Sequence, residues 1–251
     1  MKIIYTIPVL FSLHLSNVFA QEQIDAVIDW AHRVDLAIPV DGIVKKVSVN
    51  TGQKVKKGQV LVELDDRIFR AQLNKARANV NGLKSTYDEI NRELSRSQEL
   101  YDRTVLADHD LQVAKNNVVV AKAHWESAKA EYVKAQIDLE LSTLNAPFNS
   151  IILKRNVEIG RAIINKLAYD TLITLASSYE YLARAKIMQV QSEAMSLGQS
   201  VKVKVKDKTY EAKIIAIEYA FEKTASQHQV TVMFESNDNT LHAGLKAAII
   251  F

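Results

Sequence analysis

A repeat of apolar residues at alternating steps of four and three runs through Phe69–Leu139 and constrains this chain more than any other feature. In a first arm it selects Phe69, Leu73, Ala76, Val80, Leu83, Tyr87, Ile90, Leu94, Ser97 and Tyr101; in a second, Leu111, Ala114, Val118, Ala121, Trp125, Ala128, Tyr132, Ala135 and Leu139. That spacing keeps a narrow stripe facing a single partner helix, which is the requirement of a coiled-coil seam. Each arm is the expected partner of the other. Alanine at every second seam position of the second arm lets the axes approach closely, while Trp125 and Tyr132 fill the layers between. Thr104–Asp108 is short enough to reverse the chain, with Asp108 as the expected N-cap of the returning helix. At 1.5 Å per residue, an arm of roughly 35 residues projects about 50 Å.

A hairpin of that length leaves room only for small modules in a chain of 251 residues, not for one large core. Lys and Arg number 32 against 29 Asp and Glu, a net charge of +3; spread along the chain, they give nucleic acid no basic patch to bind. There is no cysteine, so disulfides, thiol catalysis, zinc–thiolate sites and a lipid-modified cysteine are all excluded. Lys2, the apolar run Ile3–Leu13 and Val18-Phe19-Ala20 read as a signal peptide over 1–20 cleaved after Ala20, the alternative being an anchor kept on the chain. The run is shorter than the ~20 residues of a bilayer span.

On either side of the hairpin the period changes to two. Gln21–Asp29 has no clear pattern and Trp30–Leu36 reads as a first short strand. From Ile38 to Asp65 the apolar residues Ile43, Val47, Val49, Val55, Val60 and Val62 alternate between turns at Asp41-Gly42, Thr51-Gly52 and Lys57-Gly58, where the glycines are expected at positive φ. Ala146–Ala176 repeats that segment at the constant offset of 108 residues that separates Pro39 from Pro147: Asp41 matches Asn149, Ile43 Ile151, Gly52 Gly160 and Val55 Ile163. After an insertion of about three residues, Val60-Leu61-Val62 meets Thr171-Leu172-Ile173. A repeat interrupted by a hairpin implies one β-module made of two halves, with the hairpin's ends side by side. Beyond Ser178, Tyr181, Ala183, Ala185 and Ile187 alternate, a helical turn spans Val190–Leu197, and Val201, Val203 and Val205 alternate with Lys202, Lys204 and Lys206. With further strands at Tyr210–Tyr219, Val230–Phe234 and Leu245–Phe251, this reads as a small β-barrel whose lysines are solvated.

Catalytic and metal-binding signatures are lacking. The histidines, at 14, 32, 109, 124, 228 and 242, have no metal-ligand spacing. No phosphate loop, nucleophile elbow or paired-acid motif stands out, so neither an enzyme nor a cofactor is expected.

Half-motif, hairpin, half-motif and barrel, in that order behind a signal peptide, resemble the periplasmic adaptor proteins, or membrane fusion proteins, of tripartite efflux pumps. The resemblance implies a mixed α and β, elongated, multi-module chain. A long antiparallel coiled-coil α-hairpin (67–143) would be inserted in a split biotinyl/lipoyl-like β-module (38–66 and 144–176), preceded by an N-terminal segment with the first strand (21–37) and followed by a β-barrel (177–251). It implies a non-enzymatic adaptor in the periplasm, at the inner-membrane face of an efflux complex. Its partners would be an inner-membrane transporter, of RND type, and a TolC-like outer-membrane duct, with a hexameric ring as the assembly. An adaptor of an ABC-type export or secretion system, or a structural coiled coil with another partner, remains open. A lipoyl-type carrier is disfavoured because Arg67 stands where such modules carry the modified lysine, and the scattered Met188, Met195 and Met233 disfavour soft-metal handover. In the family, the hairpin tip meets the duct through an arginine, a leucine and a serine; Arg96, Leu100 and Ala107 occupy those places here, so the hydroxyl is missing. The bland account of Arg96 is an ion pair with Glu93 or Glu99 on the helix face. Ser150 also departs from the family, replacing a usual glycine, so that either positive φ strains it there or the turn differs locally. Because the sequence given stops at Phe251 after the barrel, contact with the transporter is expected to fall to the barrel.

Overall fold

The computed structural model describes residues 23–165, 170–219, 227–238 and 240–251. The expected signal peptide, 1–20, lies outside the described residues. In chain order the elements are β1 (Gln23–Trp30), β2 (Arg33–Leu36), β3 (Gly42–Val47), β4 (Lys54–Val55), β5 (Val60–Leu64), α1 (Arg67–Asp102), α2 (Asp108–Leu141), β6 (Thr143–Asn145), β7 (Ser150–Arg155), β8 (Ala162–Ile163), β9 (Ile173–Ser177), β10 (Glu180–Met188), α3 (Gln189–Glu193), β11 (Ser200–Val205), β12 (Lys208–Glu218), β13 (Gln227–Glu235) and β14 (Lys246–Ile250). They divide into two units, one holding residues 30–180 and the other the flanking segments.

In the first unit, two four-stranded sheets, β2-β9-β7-β4 and β6-β5-β3-β8, sandwich one core. The repeat seen in the sequence is a symmetric exchange of strands. Gly42 pairs with Ile163 across β3 and β8, and Ser150 pairs with Val55 across β7 and β4, each pair being the other displaced by the repeat offset. Gly52 N–H donates to the Ile152 carbonyl and Gly160 N–H to the Val44 carbonyl, both at 2.8 Å. Asn149 Oδ1 accepts from Lys57 N–H at 3.0 Å and Asp41 Oδ1 from Asn165 N–H at 2.8 Å, so the matched Asp and Asn close equivalent turns. Val44, Val55, Leu61 and Leu64 of one half pack with Ile152, Ile163, Leu172 and Leu175 of the other.

One expectation about turns is corrected here, and the choice left open at Ser150 is decided. Gly42 is not at positive φ; a Cβ there would stand 2.9 Å from Leu64 Cδ1, so the buried Leu64 side chain would have to shift to admit one. Ser150, its counterpart, is not strained. It too lies outside the positive-φ region, is fully buried, and donates its hydroxyl to the Phe148 carbonyl at 2.7 Å.

The helices α1 and α2 leave this sandwich from neighbouring strands. Glu63 pairs with Thr143, and Leu64 N–H donates to the Ser142 carbonyl at 2.9 Å. Phe69, one turn into α1, reaches the sandwich core. The helices run antiparallel against each other: Tyr87 stacks on Trp125 with centroids 5.4 Å apart, and Arg77 Nη2 donates to Tyr132 Oη at 3.2 Å. Every residue of the apolar repeat is buried or half-buried except Tyr101 near the tip, and Ala121, Ala128 and Ala135 are among the most enclosed. Lys129 Nζ sits 4.2 Å from the centre of the Trp125 ring, a cation over a large aromatic face that the seam leaves half open.

In the second unit six strands close a barrel in the order β1-β10-β13-β12-β11-β14, with α3 following β10. Val201, Val203 and Val205 point inward and Lys202 and Lys204 outward, as the alternation requires. Phe234 anchors the core, stacked on Tyr181 at 5.7 Å and against Tyr210 at 5.1 Å. The N-terminal segment departs from expectation. Rather than one strand within 21–37 there are two, and β1 belongs to the barrel, where Gln23 pairs with Ile250 and Val27 with Lys246; β2 joins the sandwich through Leu36 and Ile173. The helical turn after β10 is also shorter than expected, ending at Glu193.

Candidate functional site

The candidate site is the tip, and its geometry follows from how α1 stops. Arg103 is the C-cap, Thr104 takes φ +57°, Val105 N–H donates to the Leu100 carbonyl at 2.9 Å and Thr104 N–H to the Tyr101 carbonyl at 2.8 Å. That is a Schellman motif with threonine in the left-handed place usually held by glycine. A β-branched residue pays a steric penalty in that region, so the tip holds local strain. The motif joins Leu100 to Val105, and both remain exposed, at 42% and 72%. The sequence places Thr104 and Val105 in the Thr104–Asp108 connection but gives neither a role of its own. Threonine at this position is the reverse of the usual glycine signal, and Val105 lies between the two heptad runs.

Asp108 is not the N-cap of α2. Ala107 takes that position with extended backbone, and its carbonyl accepts from Asp110 N–H at 3.1 Å and Leu111 N–H at 3.3 Å, with no side chain to cap the first turn. Asp108 and Asp110 instead lie inside that turn, where negative charge still favours the positive end of the helix dipole.

Arg96 lies two turns below the tip and is tied to carboxylates of its own helix. Its Nη2 stands 2.5 Å from Glu93 Oε2 and 3.2 Å from Glu89 Oε1, while Arg92 binds the other Glu89 oxygen. Hydrogen bonds from Arg92 and then Arg96 hold the Glu89 carboxyl below the ordinary glutamate range, and Glu93 followed by Glu89 raises the Arg96 guanidinium. All four side chains are more than half exposed, so water screens the network and it adds little to stability. It does fix where the charges lie. The three predicted residues therefore share one end of the hairpin in different settings: Arg96 in a charge ladder, Leu100 joined to Val105 by the helix-ending turn, and Ala107 at the helix start.

Elsewhere, a trough of about 670 Å³ beside the helices is lined by Gln72, Lys75 and Asn79 of α1 and Glu131, Lys134 and Asp138 of α2. Its charges are partly matched internally, with Lys134 Nζ 2.8 Å from Asp138 Oδ2. Arg67, at the place of a carrier lysine, begins α1 and forks onto Asp65, whose carboxyl it draws down to about 2. His32 Nε2 lies 3.3 Å from Glu180, and His228 Nδ1 lies 2.7 Å from the Ser192 hydroxyl. Among the described residues no group of three or more His, Cys, Asp or Glu is placed to hold a metal ion, and no helix is long and apolar enough to cross a membrane.

Comparison with known proteins agrees with this architecture. Residues 32–176 match the family model of the CzcB-like barrel-sandwich hybrid domain. The multidrug resistance protein MdtA of Yersinia enterocolitica is 23% identical over 227 residues, covering 84% of this chain and 50% of that protein. The chain thus spans about half the length of the curated relatives it matches. In fold it resembles the membrane fusion protein Spr0693 of Streptococcus pneumoniae, with a TM-score of 0.69, 17% identity, and coverage of 92% of this chain and 98% of that one. It also resembles a MacA–MexA chimera carrying the Pseudomonas aeruginosa MexA α-hairpin, with a TM-score of 0.67, 21% identity, and coverage of 92% and 81%. The family model alone covers more than half of the sequence, and the chain belongs to the CzcB-like barrel-sandwich hybrid family, that of the membrane fusion or periplasmic adaptor proteins of efflux pumps.

Proposed function

We propose that this chain is a non-enzymatic periplasmic adaptor, linking an inner-membrane efflux transporter of RND type to a TolC-like outer-membrane duct for the export of small molecules. The observation that carries the reading is the hairpin: two helices of 36 and 34 residues, packed along an apolar seam and ending in an exposed apolar tip. A coiled coil of about 50 Å is a spacer with a contact at its end. In this reading Arg96, Leu100 and the Ala107 helix start meet the duct's own helices, and the sandwich and barrel assemble around the transporter as a hexameric ring. The RND assignment rests on the absence of a cysteine that could be lipidated.

The test is efflux-dependent resistance in cells, together with cross-linking of the tip to the outer-membrane duct and the level of the protein as control. Arg96→Asp inverts a charge at the contact, and Leu100→Ser removes a half-exposed apolar anchor without opening a core. Both are expected to abolish resistance and cross-linking at unchanged protein level. If both variants pump and cross-link like the parent, the tip is not the docking site and the duct assignment is withdrawn.

A further inference from the structure

The turn between α1 and α2 carries two side chains that reversing the chain does not require. Thr104 stands at φ +57°, a region where the steric penalty spares only glycine and weighs most on a β-branched residue. Its side chain is exposed, and its hydroxyl makes no hydrogen bond to any described residue, so nothing within the hairpin offsets that penalty. Val105 is 72% exposed, more than any other large apolar side chain described in residues 30–180. In a Schellman ending, the residue at this place commonly packs on the helix residue whose carbonyl it binds. Here that residue is Leu100, itself 42% exposed, with Tyr101 next to it at 37%; the backbone bond closes the turn, yet none of the three side chains is covered. Glycine at 104 and a polar residue at 105 would reverse the chain at lower energy. Strain kept in a turn, together with apolar surface left in water beside it, marks a contact site.

We propose that Thr104 and Val105 decide which duct the tip accepts: Val105 enters a shallow apolar pocket between the duct's helical ends, and the Thr104 hydroxyl donates to an acceptor at the rim of that pocket. The inference rests on the adaptor reading above and adds to it the two residues that select the partner. Within Glu99–Leu111, Thr104 carries the only aliphatic hydroxyl, and Ala107 offers no more than a methyl group. The Schellman bonds, Thr104 N–H to the Tyr101 carbonyl at 2.8 Å and Val105 N–H to the Leu100 carbonyl at 2.9 Å, fix the backbone of both residues. Their side chains are thus presented without the ordering cost of a free loop. Selection follows from what Val105 would cover. A duct whose helical ends present an apolar pocket gains by its entry, whereas one that presents charged groups there would have them buried without partners and is rejected.

Stability and docking are expected to move in opposite directions at Thr104, which a purely structural role would not produce. Thr104→Gly relieves the left-handed strain and should raise the urea midpoint of the hairpin. The same variant should lower, several-fold, the yield of cross-links to the outer-membrane duct from a photoreactive residue installed in place of Asp102, with a matching loss of efflux-dependent resistance. Thr104→Asn keeps a donor on a residue that tolerates the left-handed region, and should dock like the parent. Val105→Ser should cut the cross-link about tenfold at an unchanged midpoint, and Val105→Leu should retain it. Protein level in the cells is the control throughout. If Thr104→Gly or Val105→Ser docks and pumps like the parent while Arg96→Asp and Leu100→Ser fail, the inference is overturned and the adaptor reading stands. If all four behave like the parent, the tip assignment falls and the inference with it. A urea midpoint that does not rise in Thr104→Gly removes the strain on which the inference is built, and overturns it as well.

Discussion

Replacing Ala128 with leucine asks how tightly the two helices close on each other. Ala128 is 3% exposed, and the contacts on either side of it, Tyr87 with Trp125 and Arg77 with Tyr132, place it opposite residues 80–84 of α1. Leucine adds three carbons at that point. If the seam had room for them, burial at about 0.8 kcal/mol per carbon would stabilise the hairpin by roughly 2 kcal/mol. If it is closed, as the burial of Ala121, Ala128 and Ala135 indicates, overpacking costs about 1–3 kcal/mol. The two cases differ in sign, so the measurement need not be fine. Urea unfolding followed at 222 nm reads mainly the hairpin, because α1 and α2 hold 36 and 34 helical residues and α3 only 5. The control is Ala78→Leu, the same substitution on the exposed outer face of α1, expected to stay within about 0.5 kcal/mol of the parent. A raised midpoint for Ala128→Leu, or equal shifts for both variants, would refute the closed seam.

Two further outcomes are expected. Ala107→Ser supplies the missing side-chain cap at the start of α2 and should raise the hairpin's stability by about 1 kcal/mol in the same urea assay; no gain would mean that Ala107 is not the N-cap. Ser150→Gly removes the hydroxyl bond to Phe148 and loosens an unstrained backbone, so it should lower the thermal midpoint of the sandwich by the equivalent of about 1 kcal/mol, whereas a rise would show that serine is strained there.

The seam could be read directly because each helix meets its partner with one stripe, and a stripe is a local pattern. The half-motif repeat was legible for a related reason: matched positions such as Asp41 and Asn149 do the same work in equivalent turns, and a shared requirement leaves a shared residue type. Signals that depend on a distant partner were lost. Ile24, Ala26 and Ile28 do alternate along β1, but the strands that make this pattern meaningful are β10 and β14, both on the far side of the hairpin. Gly42 looked like a turn glycine because the turn is local, whereas Leu64, the side chain that crowds a Cβ there, reaches it from another strand. At the tip, Asp108 was the better capping residue by type, yet the Schellman closure of α1 sets where α2 starts and places Ala107 first.

The pairing of β5 with β6 bears on the order in which the chain can fold. Without the hairpin, joining Leu64 to Ser142 means closing a loop of more than seventy residues, with an entropic cost that grows as the logarithm of its length. Helix pairing across a short connection is built from near-neighbour contacts and proceeds quickly, zipping from the tip toward the base. Once it arrives, the two halves of the sandwich are delivered to each other with almost no loop left to close, so the hairpin acts as the nucleus for a β-module whose own strands are far apart in the chain. The barrel has no such guide. Its first strand lies between β10 and β14, so during synthesis β1 emerges with both edges unpaired, finds β10 first, and the barrel cannot close until Lys246–Ile250 has followed.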